Sequence, residues 1–295
     1  MVANPTAGHG RAGSLVGKVA GLLHDAGIEH EIRVSTSAAD LTRLAREAGE
    51  QGVRIVAVLG GDGSVHLAAN GVLGTGAALA VLPGGTGDDF ASSIDTGKLP
   101  AAVRLLFEPS IVQMDIVKLS CGAEVQHYVN IAGAGFDSDV NETANGMRVR
   151  LGTTGTYIAA VVRTLPKFRP ARFVISVDDE HLDVEAMLVV VGNAPAYGGG
   201  MRVLPEARIN DGLLDVCVVT ALSAPAFLRA FPRVFRGTHT DHPNVVMLRG
   251  TQVRVEADRR VQVYADGERI GPLPAVHELI PAALPVVVGP QAKVV

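Results

Sequence analysis

The chain has 295 residues, of which 47% are hydrophobic and 19% are charged, with a net charge of −4. This composition excludes disorder over most of the length, and an aromatic content of 4% argues against a base-stacking nucleic-acid surface. Two distant cysteines exclude a disulfide framework and favour a reducing, cytoplasmic compartment. No apolar run reaches the ~18 residues of a membrane span.

In the first third of the chain, short apolar runs alternate with helical patterns. Strands are predicted at 29–35, 53–59 and 77–82, and helices at 20–26, 41–51, 65–73 and 99–107. The run 53–59 is continuous and rich in β-branched residues, which is typical of a strand buried on both faces. Strands that alternate with helices predict right-handed crossovers and a mostly parallel sheet.

From about Val112 the strand patterns follow one another more closely, which predicts a β-rich second domain. Its strands are predicted at 113–119, 125–131, 171–177, 184–191, 213–219, 245–255 and 261–265, with helical insertions near 157–165 and 225–235. Residues 178–180 have the pattern of a hairpin turn. The run 283–288 is one more strand candidate.

Glycine-rich loops follow two predicted strands. Gly60, Gly61, Asp62, Gly63 and Ser64 come directly after the strand at 53–59 and open a helix. Glycines and a helix N-terminus suit a phosphate group, and a carboxylate among them indicates an intervening Mg²⁺. The alternative is a plain tight turn in which Asp62 caps the helix.

Another glycine loop follows the strand at 77–82 and contains Thr86, Asp88 and Asp89. Thr86 can donate a hydrogen bond to a phosphate oxygen, and either carboxylate can cap a helix or hold a metal-bound water. One more loop, earlier in the chain, runs from Asn4 to Gly10. Because open α/β sheets bind ligands at the carboxyl ends of their strands, the three loops predict one phosphate-binding crevice.

Together with later motifs, these loops resemble the diacylglycerol kinase catalytic domain of soluble bacterial lipid kinases, which is shared with sphingosine and ceramide kinases. The later motifs are 130–137, Gly198-Gly199-Gly200, 205–215 and Asp266-Gly267-Glu268. The resemblance implies an NAD-kinase-like α/β domain that binds ATP, formed by residues 1–112 with about 283–295. It further implies a β-sandwich domain for the lipid, residues 113–282.

The resemblance also implies roles for individual residues. ATP contacts fall on Asn4, Gly8, Ser35, Gly60, Gly61, Asp62, Gly63, Ser64 and Thr86, with Thr36 as the alternative to Ser35. Asp62 and Asp89 would arrange a Mg²⁺ ion. Asp211 would hold a second, structural Mg²⁺ with the carbonyls of Arg208 and Leu213.

The general base is implied to lie in Asp266-Gly267-Glu268, and the resemblance leaves Asp266 and Glu268 as alternatives. The chain departs from the family where it has His66-Leu67 instead of Asn-Glu, and where Asp88 replaces an Asn. These departures bear on nucleotide contacts and on the level of activity.

The function that follows is ATP-dependent, Mg²⁺-dependent phosphorylation of a hydroxyl of diacylglycerol or a related lipid alcohol, as in phospholipid biosynthesis. The alternatives are a kinase of a soluble acceptor, such as NAD, and a weakly active nucleotide-binding regulatory protein. A basic run over 148–172 is either a solvated face or a transient peripheral contact with anionic membrane lipid. The composition excludes nucleic acid as a partner and is compatible with a homodimer. His239 and His242 are expected in a solvated loop rather than a metal site.

Overall fold

The computed structural model describes residues 1–147 and 152–294. The chain forms two compact units. The first contains Met1–Ile116, Ile209–Asp211 and the chain from Pro281 onward, and the second contains Val117–Arg208 and Gly212–Ile280. The bounds expected from the sequence, at 112 and 282, fall inside two long strands that each belong partly to both units.

In the first unit, the strands of a parallel sheet alternate with helices along the chain. Its elements are β1 (Val2–Ala3), α1 (Arg11–Asp25), β2 (Arg33–Val34), α2 (Ala38–Glu50), β3 (Ile55–Gly60), α3 (Asp62–Val72), β4 (Ala78–Pro83), α4 (Asp89–Ser93) and α5 (Leu99–Leu105). The strands lie in the order β2-β1-β3-β4. The carboxyl ends of β1, β3 and β4 therefore meet at one edge of the sheet.

The strand predicted over 29–35 is wrong in length, since only Arg33–Val34 pairs. Its neighbour β1 pairs with it at Val2 and Ala3, so the ladder between the two strands is two residues long. The β-branched run 53–59 behaves as predicted, because β3 is buried from Val56 to Gly60. Ser37 begins α2 as its N-cap, where its hydroxyl accepts the Asp40 N–H at 3.1 Å.

The second unit is a β-sandwich-like fold with helical insertions. Its strands, two of them shared with the first unit, are β5 (Ser110–Cys121), β6 (Glu124–Tyr128), β7 (Ile131–Gly135), β8 (Ala171–Val177), β9 (Glu180–Gly192), β10 (Leu214–Thr220), β11 (Val245–Gly250), β12 (Gln252–Ala257), β13 (Gln262–Ala265), β14 (Glu268–Pro272) and β15 (Ala275–Val288). Its helices are α6 (Phe136–Gly146), α7 (Gly152–Thr164), α8 (Ala224–Ala230) and the 3₁₀ helices Phe231–Arg236 and Thr238–Asp241.

The strands of the second unit pair antiparallel, and β9 lies at their centre. It pairs with β8 along its first half, with β7 along its second half, and with β10 on the other side. Side chains alternate between the two faces of a strand, so Val189 and Val191 point to the same face. There they join a hydrophobic core that consists mostly of residues from the strands of this unit. Leu188 and Val190 face the opposite way and pack in a second cluster with the helices.

The strands predicted at 125–131 and 245–255 are each divided in two. The first region contains β6 and β7, and the second contains β11 and β12. At the second break, Thr251 N–H donates to the Asp178 carboxylate, and a Cβ at Gly250 would lie 2.6 Å from that carboxylate. Asp178 itself has φ +48° in the turn that joins β8 to β9, which confirms the hairpin predicted at 178–180. The sequence patterns did not predict α6, which follows β7 directly.

Candidate active site

Three loops lie together where β1, β3 and β4 end. They are the first loop (Asn4–Gly10), the second loop (Gly60–Ser64, which includes the end of β3 and the first residues of α3) and the third loop (Gly84–Asp89, which ends at the first residue of α4). The Asn4 side-chain amide donates to the Ser64 hydroxyl at 2.9 Å, and the Arg11 guanidinium donates to the Gly85 carbonyl at 3.0 Å. The structure thus brings Asn4 and Ser64, both expected to contact nucleotide, into direct contact.

Close backbone approach accounts for the glycines of these loops. A Cβ at Gly85 would lie 2.5 Å from the Gly61 Cα. Gly8 has φ +60°, and a Cβ there would lie 2.6 Å from the Gly84 carbonyl oxygen. Side chains at these positions would separate the loops. Because glycine has no side chain, the backbone itself forms the surface at the N-terminus of α3. Such a surface is suited to phosphate oxygens.

Asp62 links the second loop to the third. Its carboxylate accepts the Phe90 N–H at 2.9 Å and the Asp89 N–H at 3.2 Å. Burial and the nearby charge of Asp89 raise the pKa of Asp62 to about 6. Asp88 has φ +54°, its carboxylate accepts the Gly85 N–H at 3.0 Å, and burial raises its pKa also. Three carboxyl groups therefore lie near one another beside the glycines.

This group of carboxyls fits a Mg²⁺ ion. In the described ranges 1–147 and 152–294, no three His, Cys, Asp or Glu side chains are arranged to hold a metal by themselves. Mg²⁺ in kinase sites takes one or two protein carboxylates and completes its shell with phosphate oxygens and water. Asp62 and Asp89 would supply those carboxylates, and a cation would offset the repulsion from Asp89 that adds to burial in raising the Asp62 pKa.

The remaining predicted nucleotide contacts differ in how accessible they are. Ser35 is buried, and its hydroxyl donates to the Ala3 carbonyl at 3.1 Å. The Thr36 hydroxyl donates to the Asp40 carboxylate at 3.0 Å, so both side chains at the end of β2 are engaged within the first unit. Thr86, by contrast, is exposed in the third loop. A nucleotide role for Ser35 stays a prediction.

Asp266 and Glu268, the two alternative bases, differ in their surroundings. The Asp266 carboxylate accepts three backbone N–H groups, from Val129 at 2.9 Å, Asn130 at 3.0 Å and Ile131 at 3.2 Å. Asp266 thereby holds the turn between β6 and β7 and has φ +49°. Glu268 is exposed at the start of β14. The three hydrogen bonds give Asp266 a positioning role in this turn, and Glu268 is accessible; which of the two is the base stays a prediction.

Asp211 lies in the turn before β10, as its Asp-Gly sequence indicates. The carbonyl of nearby Ile209 accepts the Asp115 N–H at 2.8 Å, which fixes the start of this segment in the first unit. Arg208 and Leu213 flank it in sequence and belong to the second unit. The structural Mg²⁺ at Asp211 stays a prediction.

The second unit contains an apolar cavity of about 680 Å³, including its open mouth. Its lining residues come from α6, α7, α8, the two 3₁₀ helices, the strands β9, β10 and β11, and the loops between these elements: Phe136, Asp137, Tyr157, Val161, Leu188, Tyr197, Met201, Val203, Val219, Leu222, Phe227, Ala230, Phe231, Val234, His239, His242 and Val245. The mostly aliphatic and aromatic lining suits an apolar ligand group. Within the described residues, the lining contains no lysine or arginine.

Polar groups on the cavity wall were missed or misjudged from the sequence. Asp137 is buried, and both Tyr157 and Tyr197 donate their hydroxyls to its carboxylate, the latter at 2.7 Å. A carboxylate directly after the buried Phe136 is the signal that could have found it. The prediction of a solvated loop is wrong for His239, which is only 6% exposed and whose Nε2 lies 3.0 Å from the Val203 carbonyl oxygen.

Comparisons with known proteins cover nearly the whole chain. The family model described as the diacylglycerol kinase catalytic domain matches residues 1–119. The model described as the YegS C-terminal NAD kinase beta sandwich-like domain matches residues 130–288. The two models together take in the three loops of the first unit and the cavity of the second.

Individual relatives agree with these models. A diacylglycerol kinase of Mycobacterium tuberculosis is 35% identical over 288 residues, which cover 96% of this chain and 92% of that protein. A diacylglycerol kinase of Bacillus subtilis is 26% identical, over 93% of this chain and 90% of that protein. A crystal structure of a candidate diacylglycerol kinase from Bacillus anthracis matches with a TM-score of 0.81 and 26% identity, over 98% of this chain and 96% of that one. The chain belongs to the diacylglycerol kinase family, which includes the YegS-like lipid kinases.

Proposed function

We propose that this protein transfers the γ-phosphoryl group of ATP to a hydroxyl of diacylglycerol or a related lipid alcohol. The acceptor oxygen forms a bond to the γ-phosphorus, the bond from that phosphorus to the ADP oxygen breaks, and Glu268 takes the hydroxyl proton. Such a base contributes roughly 10²–10⁴ in rate. The three loops would position the triphosphate, since phosphoryl transfer asks mainly for positioning and charge neutralisation. Mg²⁺ bound at Asp62 and Asp89 would neutralise the phosphate charge.

The apolar cavity is the observation that supports a lipid, rather than a soluble molecule, as the acceptor. A soluble anionic acceptor such as NAD requires cationic or multiply polar partners, whereas this lining is mostly aliphatic and aromatic and contains no lysine or arginine among the described residues. The lipid chain of an acceptor would bind there by apolar contact. A kinase of a soluble acceptor is therefore the weaker alternative.

An assay with γ-labelled ATP and Mg²⁺ tests the acceptor class. The parent protein is incubated in parallel with total lipid extract, with dioctanoylglycerol and with NAD. We expect label in the lipid phase and in dioctanoylglycerol and none in NAD. Label in NAD alone would establish the soluble-acceptor alternative. Bound ATP without any labelled product would establish the weakly active, regulatory alternative.

We also propose that the second unit makes the peripheral membrane contact expected from the sequence. Ile158 and Val162 lie one turn apart on α7 and are 40% and 56% exposed, and Leu228 on α8 is 44% exposed. Both helices line the cavity, so a lipid could enter it from a bilayer surface. Of the basic run, Arg148 and Arg150 lie outside the described residues, and Arg172 pairs with Asp183 at 2.6 Å.

Vesicle sedimentation tests the membrane contact. Val162→Glu should weaken binding to phosphatidylcholine vesicles containing anionic lipid, because it places a charge in the interface. Val125→Glu is the matched control, since Val125 is 51% exposed and lies on the strand β6 rather than on either helix. Equal binding of the two variants would contradict this proposal.

A further inference from the structure

Two basic segments of the second unit lie side by side although they are far apart in sequence. One is the linker between α7 and β8, which contains Lys167 and Arg169, and the other is the turn after β12, which contains Arg259 and Arg260. The Arg259 guanidinium donates to the Arg169 carbonyl at 2.6 Å, and its central carbon lies 5.9 Å from the centre of the Phe168 ring. The hydrogen bond and the cation–π contact hold Arg259 against the linker. The four exposed cations, Lys167, Arg169, Arg259 and Arg260, are called the basic patch below.

Backbone contacts keep the two segments of the basic patch together. The Arg172 N–H donates to the Asp258 carboxylate at 3.2 Å, and the Asp258 N–H donates to the Arg172 carbonyl at 3.0 Å. These bonds continue the ladder in which β12 and β8 pair antiparallel. The sheet therefore fixes where the two segments meet.

No carboxylate forms an ion pair with the basic patch within residues 1–147 and 152–294. Arg172 beside it differs, because it pairs with Asp183 at 2.6 Å. Arg259 acts electrostatically on Asp139, whose pKa is nevertheless raised because that carboxyl is partly buried. The whole chain has a net charge of −4, so the basic patch is a local concentration of positive charge and does not reflect a general excess. Such a concentration attracts an anionic partner.

The basic patch lies at the C-terminal end of α7, the helix that exposes Ile158 and Val162. Lys167 follows this helix, and its N–H donates to the Thr164 carbonyl at 3.1 Å. Apolar side chains with cations beside them are the combination by which a protein lies on an anionic bilayer, since one signal alone binds only weakly. A single-stranded nucleic acid instead needs exposed aromatic rings for its bases, and Phe168 of the linker is buried. The surroundings of the patch therefore favour a membrane over nucleic acid.

We infer that the basic patch binds the phosphate groups of anionic phospholipids at a bilayer surface and so directs the second unit to anionic membranes. The inference rests on the proposed membrane contact and gives that contact a lipid preference. The apolar residues of α7 and α8 would enter the bilayer, whereas the patch would contact headgroups. Anionic lipid would thus raise the amount of protein at the bilayer without taking part in the reaction.

Sedimentation of the full chain with vesicles of two compositions tests this inference. The probes are vesicles of phosphatidylcholine alone and vesicles of phosphatidylcholine mixed with phosphatidylglycerol. Arg259→Gln/Arg260→Gln should weaken binding to the mixed vesicles about tenfold or more, because each cation near an anionic surface contributes about fivefold. Binding to phosphatidylcholine alone should not change, and high salt should reduce the difference between variant and parent. Binding of this variant to the mixed vesicles equal to that of the parent overturns the inference.

Two further double variants supply a control and an independent test. Lys18→Gln/Arg104→Gln removes two exposed cations from α1 and α5 of the first unit and should bind both kinds of vesicle as the parent does. Equal weakening in this control would show that only the total charge matters, and the inference would be wrong. Lys167→Gln/Arg169→Gln removes the other half of the basic patch and keeps the Arg169 carbonyl that Arg259 contacts. It should weaken binding to the mixed vesicles to a similar extent, and binding like that of the parent would also contradict the inference.

Other outcomes distinguish failure of the basic patch from failure of the proposed function. Val162→Glu should weaken binding to both kinds of vesicle, because it acts on the apolar contact. Normal binding of Val162→Glu together with loss in Arg259→Gln/Arg260→Gln would remove the apolar contact and support the patch. Tighter binding of the parent to a single-stranded oligonucleotide than to the mixed vesicles, at the same salt, would assign the patch to nucleic acid and overturn the inference.

Phosphorylation of dispersed dioctanoylglycerol, measured without vesicles, keeps the kinase function apart from the basic patch. The parent and both patch variants should have the same turnover. Absence of product from all three, with the expected differences in vesicle binding, would contradict the lipid kinase function while supporting the patch. Loss of turnover in the patch variants alone would place the patch in the catalytic machinery and overturn the inference.

Discussion

The Asp62 carboxylate accepts the Phe90 backbone N–H at 2.9 Å, so the loop after β3 caps the helix after β4. The same carboxylate lies close enough to Asp89 for the two charges to repel. Asp62 therefore has a structural and an electrostatic role at once. A nucleotide-bound cation would offset the repulsion from Asp89 and leave the hydrogen bond to Phe90 in place.

The raised pKa of Asp62 predicts a pH dependence of stability. Its pKa is about 6 in the folded protein against an ordinary value of 3.8. Between about pH 4 and pH 6 the folded state binds more protons than the unfolded state, so the free energy of unfolding falls as the pH rises. The loss is about 1–3 kcal/mol. In urea titrations without Mg²⁺, Asp62→Asn should lose less stability over this range than the parent. Parallel pH profiles would contradict the raised pKa.

His277 predicts a dependence of the opposite sign. It is buried beside Tyr128, whose hydroxyl lies 3.0 Å from Nδ1, and burial lowers its pKa from 6.5 to about 3. The unfolded chain therefore binds a proton below about pH 6.5 that the folded protein does not, and stability is lost as the pH falls from there. His277→Gln should reduce this acid-side loss, measured as the shift of the urea midpoint between about pH 7 and pH 5. A midpoint shift in His277→Gln as large as that of the parent would contradict the lowered pKa of His277.

Gly85 and Gly21 form a matched pair of glycines. Gly85→Ala would place a Cβ 2.5 Å from the Gly61 Cα, and we expect it to cost about 1–3 kcal/mol and to weaken ATP binding. Gly21→Ala on α1 meets nothing within 4 Å and should stabilise the protein by up to about 1 kcal/mol. Thermal unfolding and ATP titration of both variants provide the check. Normal ATP affinity in Gly85→Ala would show that the contact between the loops is dispensable.

Asp266→Asn tests the division of roles between the two carboxylates. The amide cannot accept all three N–H bonds that Asp266 receives, so the free energy of unfolding should fall by about 1.5–3 kcal/mol. Glu268→Gln changes an exposed side chain and should leave stability within about 0.5 kcal/mol of the parent. Urea unfolding distinguishes the two. Full stability of Asp266→Asn would reopen its assignment as the base.

Local patterns made much of the first unit predictable. The β-branched run of β3 and the glycines that follow each depend on residues adjacent in sequence. Contact between the loops after β3 and β4 follows from parallel strands that are neighbours. The length of β2 could not be predicted from its own sequence pattern, because it depends on which residues pair with β1.

Long-range contacts limit what the sequence can predict in the second unit. Asp266 looks like a base from its motif, yet its oxygens are engaged by a turn 135 to 137 residues earlier in the chain. His239 looks solvated because its neighbours are polar, yet it is buried and its ring bonds to the carbonyl of Val203, 36 residues away. Neither contact leaves a periodic or local signal.

Transfer of label from γ-labelled ATP to dioctanoylglycerol, compared between the parent and Glu268→Gln, tests the central claim most directly. The account predicts labelled lipid phosphate from the parent. It predicts a loss of at least about 10²-fold in turnover for Glu268→Gln with unchanged ATP affinity, because the base acts only on the acceptor proton. Turnover of Glu268→Gln close to that of the parent would place the base elsewhere. Absence of labelled lipid from the parent, with this acceptor and with total lipid extract, would contradict the lipid kinase function itself.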